Sequence, residues 1–424
     1  MLVGNLTSVI LNILIVKILT NKFSIAEFGI YSLIVAFSTF PQLVLFAPIS
    51  AAIFPFINRK KENNLYNDFQ KDMFNLFFLI GFVLLIILLM VTGLTIYGNG
   101  LSPELLAILA SSFLFSVTLS WLTMLDTFSL ANHKVKEFTV FPTVNLLSKF
   151  VALIGIMFCK THVVPAAVIL VFCLIQTVLC GAEFFYLRRK KILDYKITFS
   201  FKEIVQIKTA SKQEVLKYAQ NFFLWGIFGW GQSFFDKWFL NYYNGSSSVA
   251  IYAVYYQYGF FPFTIFSSII SQYITPLFFS KISRNEEALS FLKRLLNYCV
   301  LGLLIFSGVL IILAYYIAPF FIKIFTNARY LESIHLFPII VLAGIFFGFG
   351  QIITVPLLNS DFVKKIRLPK ISSAILSVTL FGLLVPRYGL TGILIALLLS
   401  NMVYFVSLLV INYNYAGTLA SNVN

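Results

Sequence analysis

Charge is what this sequence has least of. Only 11% of its 424 residues are Asp, Glu, Lys or Arg, where a soluble domain carries roughly 25%. Acidic residues are scarcer than basic ones, 16 against 31, and there are three histidines and four cysteines. His133, His162 and His335 fall in different loops, with no spacing that suggests a metal site or a catalytic triad. Cys159, Cys173, Cys180 and Cys299 all lie inside apolar runs, which excludes a disulfide framework or a zinc site and reads as small core residues. No GxxxxGK[ST] loop is present, so the chain does not hydrolyse ATP itself. Long loops are also missing. Glycan polymerases and ligases carry a large periplasmic loop with catalytic Arg or His, and every loop expected on that side is short.

What is abundant is apolar sequence, 59% of the chain. A hydrocarbon core of about 30 Å, at about 1.5 Å rise per residue, asks for roughly 20 apolar residues per spanning helix. Spans are expected near residues 3–21, 29–54, 74–97, 105–131, 139–159, 165–187, 216–241, 249–276, 296–322, 336–359, 370–386 and 390–412. The segment FLIGFVLLIILLMV (78–91) is apolar on every side, unlike the alternating segments of about 10 residues in an outer-membrane barrel. The spans are therefore helices, and the expected fold is an all-α integral membrane protein of about 12 transmembrane helices. Met1 runs almost directly into a span too long for a signal peptide, so that span is expected to stay.

Lys and Arg accumulate in cytoplasmic loops. With a cytoplasmic amino terminus, the loops on that side hold twenty-three basic residues, including Arg59 to Lys61, the run from Arg188 to Lys217, and Lys364 to Lys370. The opposite side receives six: Lys17, Lys22, Lys160, Lys323, Arg329 and Arg387. This bias predicts both termini inside. It also accounts for the net charge of +15 without nucleic acid as a partner. The segment 191–212 reads as a basic cytoplasmic linker on the anionic leaflet, joining a first bundle (1–190) to a second (213–424).

A duplication supports that division. Residues 233–276 laid over 12–55, an offset of 221, place Ile251-Tyr252 on Ile30-Tyr31, Phe261-Pro262 on Phe40-Pro41, Ile270-Ser271 on Ile49-Ser50 and Pro276 on Pro55 without a gap. Six spans per half return the chain to the membrane in the same orientation. The repeat is thus parallel, two six-helix bundles about a pseudo-twofold along the membrane normal, a transporter arrangement that supports rocking across a central cleft. Pro41, Pro48, Pro55, Pro262 and Pro276 are the candidate helix kinks.

A Lys or Asp at mid-bilayer costs roughly 2.5–3.5 kcal/mol and marks a cavity or a partner. Lys149 is the deepest, with Asn145 one turn away on the same face. In the seventh span Gly229, Gln232, Ser233 and Asp236 share a polar face. Asp236 and Lys237 point about 100° apart, so their side chains need separate partners, and Lys237 has the option of snorkelling to the nearby surface. Ser116, Ser120, Thr123 and Thr127 form a second stripe beside Asp126. Lys149, Asn145, Asp126, Gln232, Asp236 and Lys237 are the candidate substrate or ion pathway.

Several segments in order resemble one family: Phe28-Gly29-Ile30-Tyr31, DKWFLNYYNGSSSVAIYAV, TPLFFSKISR, ARYLESIHLFPII and VPRYGLTGILIALLLSN look like the polysaccharide flippases, Wzx type, of the multidrug/oligosaccharidyl-lipid/polysaccharide (MOP) exporter superfamily. The likeness covers nearly the whole chain. It implies two MATE-like six-helix lobes and no catalysis. The implied activity is translocation of an undecaprenyl-pyrophosphate-linked oligosaccharide, an O-antigen or capsule repeat unit, across the bacterial cytoplasmic (inner) membrane. Asp236-Lys237 match the family's Asp followed by a basic residue, and Tyr252 the Tyr after the next loop. Lys149 is the best match to the family's cationic cleft. Partners implied are the lipid-linked oligosaccharide, membrane lipid and other polysaccharide-assembly membrane proteins. No cofactor is implied, and H+ or Na+ coupling stays open. The alternative is a MATE-like ion-coupled exporter of drugs or other small molecules, although no acidic residue lies between Asn5 and Ile15 in the first span.

Overall fold

The computed structural model describes residues 2–62, 65–98, 103–132, 134–158, 163–193, 210–281, 285–358 and 363–421. His133, His162, Cys159 and most of the 191–212 linker lie outside the described residues. Every regular element among those described is helical. Backbone polar groups in hydrocarbon must be satisfied within the chain, and an apolar run does this by forming a helix. In order these are α1 (Leu2–Lys22), α2 (Ile25–Pro41), α3 (Ala47–Ala51), α4 (Ile53–Glu62), α5 (Tyr66–Gly98), α6 (Pro103–Ala131), α7 (Val135–Phe158) and α8 (Pro165–Arg189). They are followed by α9 (Ala210–Tyr255), α10 (Phe261–Lys281), α11 (Asn285–Phe325), α12 (Phe337–Thr354) and α13 (Val363–Ser421).

Among the described residues eight segments are long and apolar enough to cross a membrane. One of them, Lys365–Thr418, has 54 residues and would run about 80 Å if straight. Gly389, at φ 51°, breaks it, and Gly245, at φ 79°, breaks α9. A positive φ costs glycine little because it has no Cβ. With α2 to α4 taken as one interrupted rod, α9 to α10 as two and α13 as two, the described residues form twelve rods, as the apolar runs predict.

The duplicated segment shows why its copies start alike. Ser24 caps α2 through a capping box, its Oγ accepting from the Glu27 amide at 3.2 Å while Glu27 Oε2 accepts from the Ser24 amide at 2.8 Å. At the equivalent place in the second copy stands Gly245, which ends one helix and lets the next begin.

The chain divides into two compact units, Met1–Trp230 and Gly231–Asn424. The division falls within α9 because the first turns of that helix belong to the first unit. Lys60 Nζ there meets Glu214 at 2.8 Å, and Trp230 Nε1 donates to the Ala36 carbonyl at 3.0 Å. The first unit's core joins Phe46, Phe69, Phe74, Phe77, Phe128 and Leu187.

Each unit carries one wide π turn, Gln42–Phe46 in the first and Tyr256–Phe260 in the second. Each ends two residues before a proline, Pro48 in one case and Pro262 in the other. A proline offers no N–H and crowds the carbonyl four residues back, and a π turn just upstream relieves both faults. The matched prolines are therefore Pro48 and Pro262, not Pro41 and Pro262 as the sequence overlay pairs them. Pro41 closes α2, Pro55 sits exposed in the first turn of α4, and α10 continues through Pro276.

Candidate functional site

In the second unit, α9 and α13 bring Gln232 to Lys370. Lys370 Nζ donates to Gln232 Oε1 at 2.7 Å, and Gln232 Nε2 donates to Asn401 Oδ1 at 3.4 Å. All three are buried. The same ammonium lies 5.5 Å from the Phe347 ring centre and 5.4 Å from that of Tyr404. Tyr404 in turn receives a hydrogen bond from Gln351 Nε2 at 3.2 Å. An ammonium out of water is partly compensated by aromatic faces, and this one has two.

A turn along α9, Asp236 is fully buried. Its Oδ1 accepts from the Lys237 amide at 2.6 Å and its Oδ2 from the Tyr252 hydroxyl. The Asp and the Tyr brought together by the family resemblance are thus in contact across the Gly245 break. Lys237 does not snorkel. Its Nζ is held 5.3 Å from the Phe234 ring centre and 5.7 Å from that of Tyr256, with 8% of the residue exposed. Tyr252→Phe should leave Oδ2 of Asp236 without its donor in a dry place, a loss of about 1–3 kcal/mol or more for a charged group. The midpoint of heat-induced aggregation in detergent should fall by several degrees, with Tyr243→Phe, on an exposed ring, as the neutral comparison.

In the first unit, α6, α7 and α8 pack together around a buried polar track. Lys149, on α7, is 6% exposed and places Nζ 5.1 Å from the Phe115 ring centre and 5.4 Å from that of Phe172. It forms no salt bridge among the described residues. Further along, Thr118 Oγ1 donates to Gln176 Oε1 at 2.7 Å. Beyond that rung Asp126 and Glu183 come within electrostatic reach of each other, beside Cys180. Glu183 is fully buried; no N–H or hydroxyl among the described residues donates to its oxygens or to Asp126 Oδ1, and the two carboxyls lie within hydrogen-bonding reach of each other. Glu183 is thus sealed inside the protein. Asn145 Oδ1 and Gln176 Nε2 are likewise buried without partners among the described residues. The Ser/Thr stripe bonds its own helix: Ser120, Thr123 and Thr127 hydroxyls donate to the carbonyls four residues back at 2.6–2.9 Å.

The second unit also holds a cavity of about 410 Å³, lined by Thr264, Ser267, Ser268, Ser271, Gln272 and Thr275 of α10 and by Phe347 and Gln351 of α12. It touches the Lys370 network through Phe347 and Gln351.

Two parts of this arrangement escape a reading of the sequence alone. Lys370 counts there as a loop charge, as do Lys60 and Lys212, yet all three are buried. The signal for Lys370 is its helical spacing with Ser373 and Ser377, both fully buried. The second is the α10 face, six polar side chains at spacings of three and four. Among the described residues no cluster of metal-ligating side chains comes together.

Twelve rods with ammonium groups sunk among aromatic rings are the make-up of a multi-pass membrane protein. Solved structures of that class share the fold. "Lipid II flippase MurJ, inward closed conformation" superposes with a TM-score of 0.70 at 16% identity, covering 96% of this chain and 86% of that one. "Inward-facing conformation of a multidrug resistance MATE family transporter of the MOP superfamily" gives 0.62 at 14% identity, over 99% and 95%. A point mutant of the Vibrio cholerae MATE transporter VcmN gives 0.58 at 13% identity, over 98% and 94%. No curated protein matches in sequence. The family model described as "Polysaccharide biosynthesis protein" matches residues 1–283, and the chain belongs to that family. Its fold is that of the MOP superfamily.

Proposed function

We propose that the chain flips a lipid-linked oligosaccharide, borne on undecaprenyl pyrophosphate, from the inner to the outer leaflet of the bacterial cytoplasmic membrane, supplying repeat units for O-antigen or capsule assembly. In this reading both termini are cytoplasmic, the two bundles divide at the 191–212 linker, and no catalytic step or cofactor is needed. One observation carries it. Lys149 is buried against two aromatic faces and makes no salt bridge among the described residues. A cation balanced by ring faces keeps a positive field for an incoming anion, and pyrophosphate is the anion this family's glycans travel on. The polyprenyl tail stays in lipid while the head group follows the polar side chains.

Deletion of the gene in a strain without a redundant transporter should abolish surface glycan and leave lipid-linked repeat units facing the cytoplasm. Lys149→Ala should cut glycan strongly at unchanged protein level, with Lys149→Arg milder. Normal surface glycan in the deletion strain sinks the reading. The second reading, an ion-coupled exporter of small molecules, is favoured by the Asp126–Glu183 pair, because two carboxyls this close in a poorly polarisable interior cannot both carry charge and hold a proton or a cation between them. Drug sensitivity on deletion with unchanged glycan would select it.

A further inference from the structure

The α10–α12 cavity has a chemistry of its own, since none of its lining side chains is charged. Six of its eight lining residues lie on one face of α10, at 264, 267, 268, 271, 272 and 275, the spacing of a single helical stripe. Its volume, about 410 Å³, is within the ~300–1,000 Å³ of small-molecule sites.

The hydrogen bonds already made inside it decide what it lacks. Thr264 Oγ1 donates to the Phe261 carbonyl at 2.7 Å, Ser267 Oγ to the Thr264 carbonyl at 2.9 Å and Thr275 Oγ1 to the Ser271 carbonyl at 2.6 Å. Gln272 Nε2 donates to Ser268 Oγ at 3.3 Å, and Gln351 Nε2 to the Tyr404 hydroxyl at 3.2 Å. A hydroxyl has one proton to give and two lone pairs. With those protons spent on the protein, the oxygens of Thr264, Ser267 and Thr275 and the Oε1 atoms of Gln272 and Gln351 are acceptors, while the hydroxyls of Ser268 and Ser271 and the second amide proton of each glutamine are not used by these bonds. The occupant must both donate and accept.

Three classes of occupant bring the wrong chemistry. A lipid tail has no donor and would strand this polar wall. An anion accepts but cannot donate, and would leave the lining hydroxyl and Oε1 oxygens without a donor. A cation brings donors but meets no carboxylate among the lining residues, and the Lys370 ammonium stands 5.5 Å from the centre of the very ring, Phe347, that lines the cavity. That charge repels a second one. A neutral polyol remains, and Phe347 supplies the flat apolar face on which the axial C–H groups of a pyranose pack.

We propose that this cavity is a sugar subsite, holding a neutral pyranose ring of the carried glycan by its hydroxyl protons and by stacking on Phe347. The proposal rests on the flippase reading for the identity of the glycan, not for the chemistry of the site. Ser271 is half-buried and lines the cavity, so a Ser271→Cys side chain is a reporter placed within it. Full-length protein in liposomes would be alkylated with a water-soluble maleimide, and modification at 271 followed by mass spectrometry. Two probes are used: the pyrophosphate-linked glycolipid extracted from the native host, and the free glycan that mild acid releases from it.

Both probes should slow alkylation at 271 at least fivefold, and the deglycosylated lipid less than twofold. Adding Phe347→Leu and Gln351→Leu should remove most of the protection, while an exposed reporter, Tyr242→Cys, is labelled equally throughout. Equal protection by the deglycosylated lipid or by tetraphenylphosphonium overturns the proposal, as does no protection by either glycan probe. Leaflet transfer of the same glycolipid, measured in the same liposomes, separates the two ideas. Transfer without protection keeps the flippase and discards the subsite; protection without transfer does the reverse.

Discussion

Lys370→Met should reduce surface glycan more than tenfold at an unchanged level of inserted protein, and Lys370→Arg should recover a minor part of it. The argument is geometric. Lys370 is the donor to Gln232 Oε1 at 2.7 Å and lies on the rings of Phe347 and Tyr404. Methionine is close in length and packs on the same rings, so shape is conserved while the charge and one hydrogen bond go. If Lys370 were only a strut, the loss would appear as reduced thermal stability of the purified protein, with transport per molecule intact. If its field draws the anionic head group, transport per molecule falls as well, beyond whatever stability the lost hydrogen bond to Gln232 removes. Arginine keeps the charge but is planar and longer, and does not fit a contact made for a compact ammonium. Normal glycan from the Lys370→Met strain would return this residue to packing.

Gly226→Ala should be among the most damaging single-methyl changes in the chain. A Cβ at Gly226 would come within 2.6 Å of the Leu43 carbonyl oxygen and 3.2 Å of Val44 Cα. Both are backbone atoms of the π turn Gln42–Phe46, so no flexible side chain can give way. The helices must move apart, at about 1–3 kcal/mol for overpacking, against a gain of up to ~1 kcal/mol in helix propensity from alanine. Gly231→Ala has nothing within 4 Å of its added carbon and should gain the propensity alone. The midpoint of heat-induced aggregation in detergent for the two variants should therefore move in opposite directions. A Gly226→Ala protein as stable as Gly231→Ala would show that the π turn yields.

Hydropathy made the spans legible, because a helix in lipid advertises itself by composition whatever it packs against. The repeat was legible at its anchors, and Gly245 standing where Ser24 caps α2 shows that the alignment holds at the helix start. It was misleading for the prolines, since a π turn absorbs an extra residue and its place depends on local crowding that no overlay reveals. Lys149 stood out for lying in the middle of an apolar run. Lys370 did not, because Lys-Lys-Ile-Arg-Leu-Pro-Lys looks like a loop until the helix is seen to start at Val363, with Arg367 outward and Lys370 inward. Asp236 was visible, but its contact with Tyr252 depends on a reversal at Gly245.

The displacement of the π turns has a mechanical consequence. Counted from the residue that begins each helix, 25 in one copy and 246 in the other, the turn starts 17 residues along in the first and 10 in the second. At about 1.5 Å per residue these are lever arms of roughly 26 Å and 15 Å. The same ten-degree flexure at the bulge would carry the tip of the longer arm about 4.5 Å and the shorter about 2.6 Å. The two helices that the sequence overlay pairs are geared differently.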